Sequence, residues 1–337
     1  MNSLDTQYIQ LLRTIMDNGY VKTGRNGTTK SIFGYEIVHN MQDGFPLLTT
    51  KKMAWKQIVT ELIWFLRGDT KLRPLVENGN WIWLGDAYNH YKKNVPHQSP
   101  DFLSTQKEFG EAIMKNDEFA ETWGDLGPIY GWQWRNWGSE IPFGEATSSG
   151  DVGIDQIKNL IHQLRTNPDS RRMLVSAWNV NDLDEMTLPP CHYGFQVYTR
   201  ELSMGEKEKW CKENDNHMDC PNRAISLKWN QRSVDTFLGL PFNIASYGLL
   251  LEIIAAEVNM IPEHLIGSLG DAHIYEEHYS AVKEQMNNTG YDLPTVTLSK
   301  DWQVKSSSPL FADTIESSDI VLNNYKSNPR IKAPLIN

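Results

Sequence analysis

Apolar residues at Leu4, Tyr8, Leu11, Leu12 and Ile15 recur at helical spacing, and Asn18-Gly19 supplies a stop, so a helix is predicted over 4–18. After the turn "GRNGTT" the stretch "TKSIFGYEIVHNM" alternates in the manner of a strand. "AWKQIVTELIWFLRG", residues 54–68, is apolar nearly all round and reads as a buried helix with one acid, Glu61, in its middle. Residues 84–121 are polar and mixed, an inserted helical excursion. A helix follows from Ile154 to Leu164, ended near Asn167-Pro168, then strands in "MLVSAWNV" and "YGFQVYT". A polar stretch runs from 201 to 222, and within it "CKENDNHMDC", residues 211–220, reads as solvent-facing loop. "AISLKWNQRS" is a further strand, and a long apolar helix opens at Pro241. Neither repeats nor low-complexity linkers interrupt this order, so 1–337 reads as one catalytic domain with surface insertions at about 84–121 and 201–222.

Composition changes this picture little. Across 337 residues, 40% are apolar and 22% charged, which permits a sizeable core. Twelve tryptophans suit a deep ligand cleft or a large subunit interface. The net charge of −10 argues against nucleic acid or an anionic membrane as the main partner, while leaving room for a small anion in a local nest of arginines. Consecutive apolar residues never approach the ~18 of a membrane-spanning helix, and the start lacks the pattern of a secretory signal. Three cysteines fit a reducing compartment better than a disulfide framework, so a cytoplasmic location is expected.

Chemistry can be sought at several places. Cys191, between two prolines and a strand, is either a nucleophile aimed into a cleft or a small buried residue. Arg171, Arg172 and Arg232 are possible neighbours that would favour its thiolate. Cys211, His217 and Cys220 have ligand chemistry, but their spacing matches no common zinc pattern. Glu61 is either a buried acid suited to proton transfer or a rim acid paired with Lys56 or Arg67. Adjacent Arg171 and Arg172 are phosphate ligands or a solvated pair. Triphosphate-binding, dinucleotide and serine-hydrolase signatures are missing from the sequence.

Eight phrases, in order, carry a resemblance: "DGFPLLTTKK", "ELIWFLRGDT", "GDLGPIYGWQWR", "NPDSRRMLVSAWN", "LPPCHYGFQ", "QRSVDTFLGLPFNIASY", "GDAHIY" and "IKAPL". Together they resemble the thymidylate synthase family over most of the chain. The resemblance implies an α+β fold whose large twisted mixed sheet stacks back to back in a homodimer, with arginines shared across subunits. It implies dUMP as substrate and 5,10-methylenetetrahydrofolate as co-substrate, with no metal.

Residue by residue, it implies that Cys191 adds to carbon 6 of the uracil ring. Arg25, Arg171, Arg172, Arg232 and Ser233 would hold the phosphate, and Asn243 would read the pyrimidine. His273 and Tyr275 would bond the deoxyribose. Glu61 would organise proton transfers, Tyr130 would help remove the carbon 5 proton, and His192 would support the water network. Asp235 would anchor the pterin above a bed of Ile82, Trp83, Leu238 and Phe242, while Lys51 and Lys52 would meet the folate's glutamate tail. Three departures stand out: a short "RNGTTKS" loop, Asp86 where a second tryptophan is usual, and a terminal Asn337. They leave open a dUMP hydroxymethylase, in which water replaces hydride, and, more remotely, a non-catalytic nucleotide- or RNA-binding relative.

Overall fold

The computed structural model describes residues 1–24, 26–99, 102–139, 153–213, 220–299 and 310–336. They form two compact units, one of Met1–Ala54, Lys158–Val175 and Cys191–Ile336, the other of Trp55–Ile157 with Ser176–Pro190.

The first unit is built on a mixed sheet of six strands in the order β1-β2-β6-β5-β4-β3. These are β1 (Tyr20–Gly24), β2 (Gly27–Asn40), β3 (Leu174–Ser176), β4 (His192–Glu201), β5 (Arg223–Asp235) and β6 (Ile261–Tyr275). Neighbours are antiparallel at β1/β2, β2/β6 and β4/β5, but β5 and β6 run parallel. Register sorts the two faces, because paired residues share a side. Phe195 pairs with Trp229, Trp229 with Gly267 and Gly267 with Ile37, and this row is buried. A Cβ on Gly267 would lie 2.3 Å from the Trp229 indole, so only glycine leaves space for that ring. One residue along, Gln196, Lys228, Ile266 and Val38 form the opposite row. On that face Val38 and Tyr198 are 43% and 65% exposed.

Helix α1 (Ser3–Asn18) matches its predicted bounds and is closed by the Gly19 N–H donating to the Ile15 carbonyl at 2.9 Å. The long apolar helix, Gly239–Glu257, starts two residues before Pro241 and lays Tyr247 flat on Trp229, ring centroids 5.3 Å apart. By length and composition it could cross a membrane, contrary to the sequence expectation, yet 67% of its most apolar window is buried in the fold. Only two acids break its apolar length, and its hydrophobicity serves the core.

In the second unit α2 (Trp55–Leu66) is buried over its last nine residues. It is followed by α3 (Arg73–Glu77), α4 (Leu84–Asn94), α5 (Gln106–Lys115), α6 (Asp117–Trp123) and α7 (Tyr130–Asn136). The 84–121 excursion is helical as predicted, and it has an aromatic core of its own. Tyr91 lies 5.2–5.8 Å, centroid to centroid, from Phe102, Phe109, Phe119 and Trp123. A reciprocal cap of Thr105 and Glu108 starts α5.

The 201–222 segment corrects two expectations. Cys211, expected in a solvent-facing loop, is instead buried in α9 (Met204–Glu213), numbered after α8 (Gln156–Thr166) and before the long helix, α10. Trp210 packs on Leu202, Ala224 and Ile261, which explains why a polar sequence folds there. The cysteines are not all reduced either: Cys211 is joined to Cys220 in a disulfide, in which Cys191 takes no part. His217 lies outside the described residues.

Candidate active site

In the first unit, Cys191 sits at the head of β4, half-buried and outside any disulfide. Its carbonyl accepts the Arg232 N–H at 2.9 Å, so β5 fixes the backbone that carries the sulfur. The register then shifts between His192 and Gly194, which bulges Tyr193 outward. His192 is buried, with Nδ1 2.8 Å from the Tyr247 hydroxyl. Burial lowers its pKa to about 3, so the imidazole is neutral at pH 7. Burial raises the Tyr247 phenol, which keeps its proton.

Asn243 lies in the first turns of α10, half-buried. Gln231 Nε2 donates to its Oδ1 at 3.0 Å, and Gln231 Oε1 in turn accepts the Trp229 indole N–H at 3.2 Å. This chain fixes which end of the Asn243 amide is oxygen and leaves its NH2 donors for a ligand.

The end of β5 delivers Arg232, Ser233 and Asp235, and its parallel neighbour delivers His273 and Tyr275 to the same end. Ser233 pairs with Asp271 and Asp235 with His273, while β2 sets Ser31 against His273 and Thr29 against Tyr275. Asp235 Oδ1 accepts the N–H groups of Phe237 and Leu238 at 2.9 and 3.1 Å, shaping the turn into α10. His273 Nδ1 is 3.2 Å from Asp271 Oδ1, and its ring meets Tyr275 edge-on at 5.2 Å. Leu238 and Phe242 are half-buried on the turn and the first turn of α10.

Lys51 turns inward. Its ammonium donates to the Phe237 carbonyl and sits 3.7 Å from that ring's centroid. Burial lowers its pKa to about 7, although Asp235 opposes the shift. Lys52 faces solvent, as do Arg171 and Arg172 just before β3. Arg25 lies outside the described residues.

The second unit holds the remaining candidates. Glu61 is buried in α2 and accepts the Trp83 indole N–H at 2.9 Å on Oε1. Burial raises its pKa to about 7 against the opposing effect of that hydrogen bond. It is therefore a core acid, not a rim acid. Tyr130 opens α7, with its ring 4.9 Å from Phe65 and 5.9 Å from Trp83. Gly131 allows the approach, since a Cβ there would be 2.7 Å from the Phe65 carbonyl oxygen. Ile82 is half-buried beside the buried Trp83. Among the described residues no group of three or more His, Cys, Asp or Glu side chains gathers to hold a metal.

Gln231, Tyr247 and His278 are partners that the sequence reading missed. Each acts through pairing or packing across elements distant in sequence. The one signal available was a polar residue standing in a segment otherwise destined for the core.

A family model described as thymidylate synthase matches residues 6–337. The thymidylate synthases of Listeria innocua and of Listeria monocytogenes serotype 4a are each 38% identical over 347 aligned positions, covering 98% of this chain and 99% of theirs.

Proposed function

Because the chain belongs to the thymidylate synthase family, we propose that it is a thymidylate synthase proper, converting dUMP and 5,10-methylenetetrahydrofolate to dTMP and dihydrofolate. Membership makes it a methyltransferase enzyme of dTMP biosynthesis and folate one-carbon metabolism.

The observation that carries the covalent chemistry is the half-buried Cys191 thiol, outside any disulfide, on a backbone tied to Arg232. Uracil carbon 5 is a weak nucleophile. Addition of the Cys191 thiolate to carbon 6 turns it into an enolate that can attack the one-carbon unit. Loss of the carbon 5 proton and expulsion of tetrahydrofolate, with cleavage of its bond to the one-carbon unit, leave an exocyclic methylene with the sulfur still on carbon 6. Hydride from the tetrahydrofolate then completes the methyl group, oxidises the folate to dihydrofolate and lets the thiolate leave as the ring double bond re-forms.

The neighbouring residues take the roles that suit their chemistry. Arg232, Ser233 and Arg25 serve the phosphate dianion, joined by Arg171 and Arg172 from the other subunit of the homodimer. Asn243, oriented by Gln231, reads the uracil edge, and His273 with Tyr275 binds the ribose hydroxyl. Tyr130 assists removal of the carbon 5 proton. Glu61, with its pKa near neutrality, exchanges protons at working pH. Neutral His192 supports ordered water and is not the main base. Asp235, Trp83, Ile82, Leu238 and Phe242 serve the pterin. Of the two lysines, the exposed Lys52 is the better placed for an anionic glutamate tail, while Lys51 fixes the turn into α10. Half-exposed Val38 and exposed Tyr198 support the outer sheet face as the homodimer interface. A cytoplasmic location accords with substrates of central nucleotide metabolism.

The test is to incubate the protein with both substrates, follow dihydrofolate absorbance and identify the nucleotide by mass. dTMP with equimolar dihydrofolate supports the proposal. Hydroxymethyl-dUMP with tetrahydrofolate retained would replace it by the hydroxymethylase, the reading favoured by polar Asp86 in α4. Binding of dUMP without turnover would mark a non-catalytic relative. Cys191→Ala should bind dUMP and make no product, and turnover by that variant would refute the assigned nucleophile.

A further inference from the structure

His278, which follows β6 and precedes α11 (Tyr279–Met286), is fully buried and has no part in the mechanism above. Its surroundings give it one. Nε2 lies 2.8 Å from the carbonyl oxygen of Pro334 in the C-terminal tail, and a carbonyl can only accept, so Nε2 carries the proton. Nδ1, on the opposite edge, is 3.7 Å from Asp235 Oδ2, the carboxylate whose other oxygen shapes the turn into α10. The ring is held between Phe237, at 5.5 Å, and Tyr275, at 5.7 Å. Nδ1 is buried and too far from Asp235 for a full hydrogen bond.

One imidazole thus touches the Asp235 turn, the ribose-side Tyr275 and the chain's last segment. The tail has a second anchor, the buried Ile331 side chain three residues earlier, while Pro334 and Leu335 are themselves exposed. Little apolar burial holds this end of the tail, so a directed hydrogen bond from a buried donor decides where it lies.

We propose that His278 is a positioning residue that ties the C-terminal tail, through the Pro334 carbonyl, to the Asp235 turn, so that seating of the pterin and docking of the tail depend on each other. This rests on the reading of Asp235 as the pterin's anchor. Protonation of Nδ1 would add a charged contact to Asp235, and the balance favours it: burial lowers the His278 pKa, but Asp235, the Pro334 carbonyl and Glu277 together raise it. The groups facing the ring with charge are thus Asp235 and Glu277, with the phenol of Tyr275 alongside.

The test compares His278→Phe, which keeps the ring's packing without its donors, with His278→Gln, which keeps a donor at the reach of Nε2. Release of C-terminal residues by carboxypeptidase is followed with dUMP and a non-reactive folate analogue bound. The Phe variant should lose its tail about tenfold faster than wild type, the value of one hydrogen bond, and the Gln variant should stay close to wild type. KM for methylenetetrahydrofolate should rise about tenfold in the Phe variant by the same measure, with the dUMP dissociation constant unchanged. In a chain truncated after Ala333, which lacks the acceptor, His278→Phe should add nothing further to the rise in KM. Equal tail release in wild type and Phe variant, equal damage from Phe and Gln, or additive loss in the truncated chain would each overturn the proposal. The protease comparison needs no turnover, so it stands even where the activity assay rejects the synthase. If His278→Phe does not fold, the Gln variant and the truncation still decide.

Discussion

Replacing Glu61 by glutamine isolates the cost of keeping a carboxylate in the core. The amide of Glu61→Gln would still accept the Trp83 N–H but could not ionise. In the folded protein the Glu61 carboxyl titrates near 7 against an ordinary value of 4.5. At 1.36 kcal/mol per unit, that difference is about 3 kcal/mol. The folded state binds this proton more tightly than the unfolded chain does. Its stabilising effect is therefore full below pH 4.5 and lost as pH rises through 7. Wild type should lose about 3 kcal/mol relative to Glu61→Gln between those limits, whatever constant offset the substitution adds. Urea unfolding of both proteins at matched pH values from 4.5 to 8 measures the difference, and other buried groups such as Lys51 and Glu252 cancel. A difference independent of pH, or one growing toward acid, would refute a carboxyl raised by burial. In parallel, kcat should fall by about 100-fold or more if Glu61 moves protons during turnover.

Four further outcomes are expected. Trp83→Phe removes the N–H that opposes the rise of Glu61, so the pH profile of kcat/KM should shift its Glu61 limb upward; a downward shift would contradict the assignment. Tyr247→Phe leaves His192 Nδ1 without its hydroxyl partner and should cost about 1–3 kcal/mol in urea unfolding. Gly131→Ala forces a methyl against the Phe65 carbonyl and should cost about 1–3 kcal/mol, read as a lower thermal midpoint. Tyr198→Asp places a charge on the outer sheet face and should give monomers in analytical ultracentrifugation; an unchanged dimer would locate the interface elsewhere.

Helices α1, α2 and α10 were legible because their apolar positions keep a helical period or run nearly unbroken. Strand β6 was not, since "IPEHLIGSLGDAHIY" scatters charge and glycine through a strand whose neighbours on both sides supply the pairing. Strand β1 is exposed along its whole length and so shows no alternation. The predicted strand "MLVSAWNV" shrinks to Leu174–Ser176, because pairing stops before its polar end. The aromatic core around Tyr91 escaped notice for a different reason: its rings come from α4, α5, α6 and the segment before α5, and meet only in the fold. Residue types and motif order pointed to Cys191, Asp235 and Asn243 in the first unit and to Glu61 in the second. What holds them, Gln231, Tyr247, Trp83 and His278, followed only from register and packing.

The hairpin of β4 and β5 has a further consequence. Its two strands meet Cys191 and Arg232 at one end, and Glu201 pairs with Arg223 at the other. With ten residues in β4, the ends stand ~30 Å apart at a strand's rise per residue. The connection between these strands leaves from that remote end and carries α9, whose Trp210 packs on Leu202, Ala224 and Ile261. Chain can be inserted beyond α9 without altering a single paired residue near the sulfur. That stretch is therefore the natural splice point for a reporter domain or affinity tag: a fusion at that connection should leave turnover intact, where the same cargo at the tail would not.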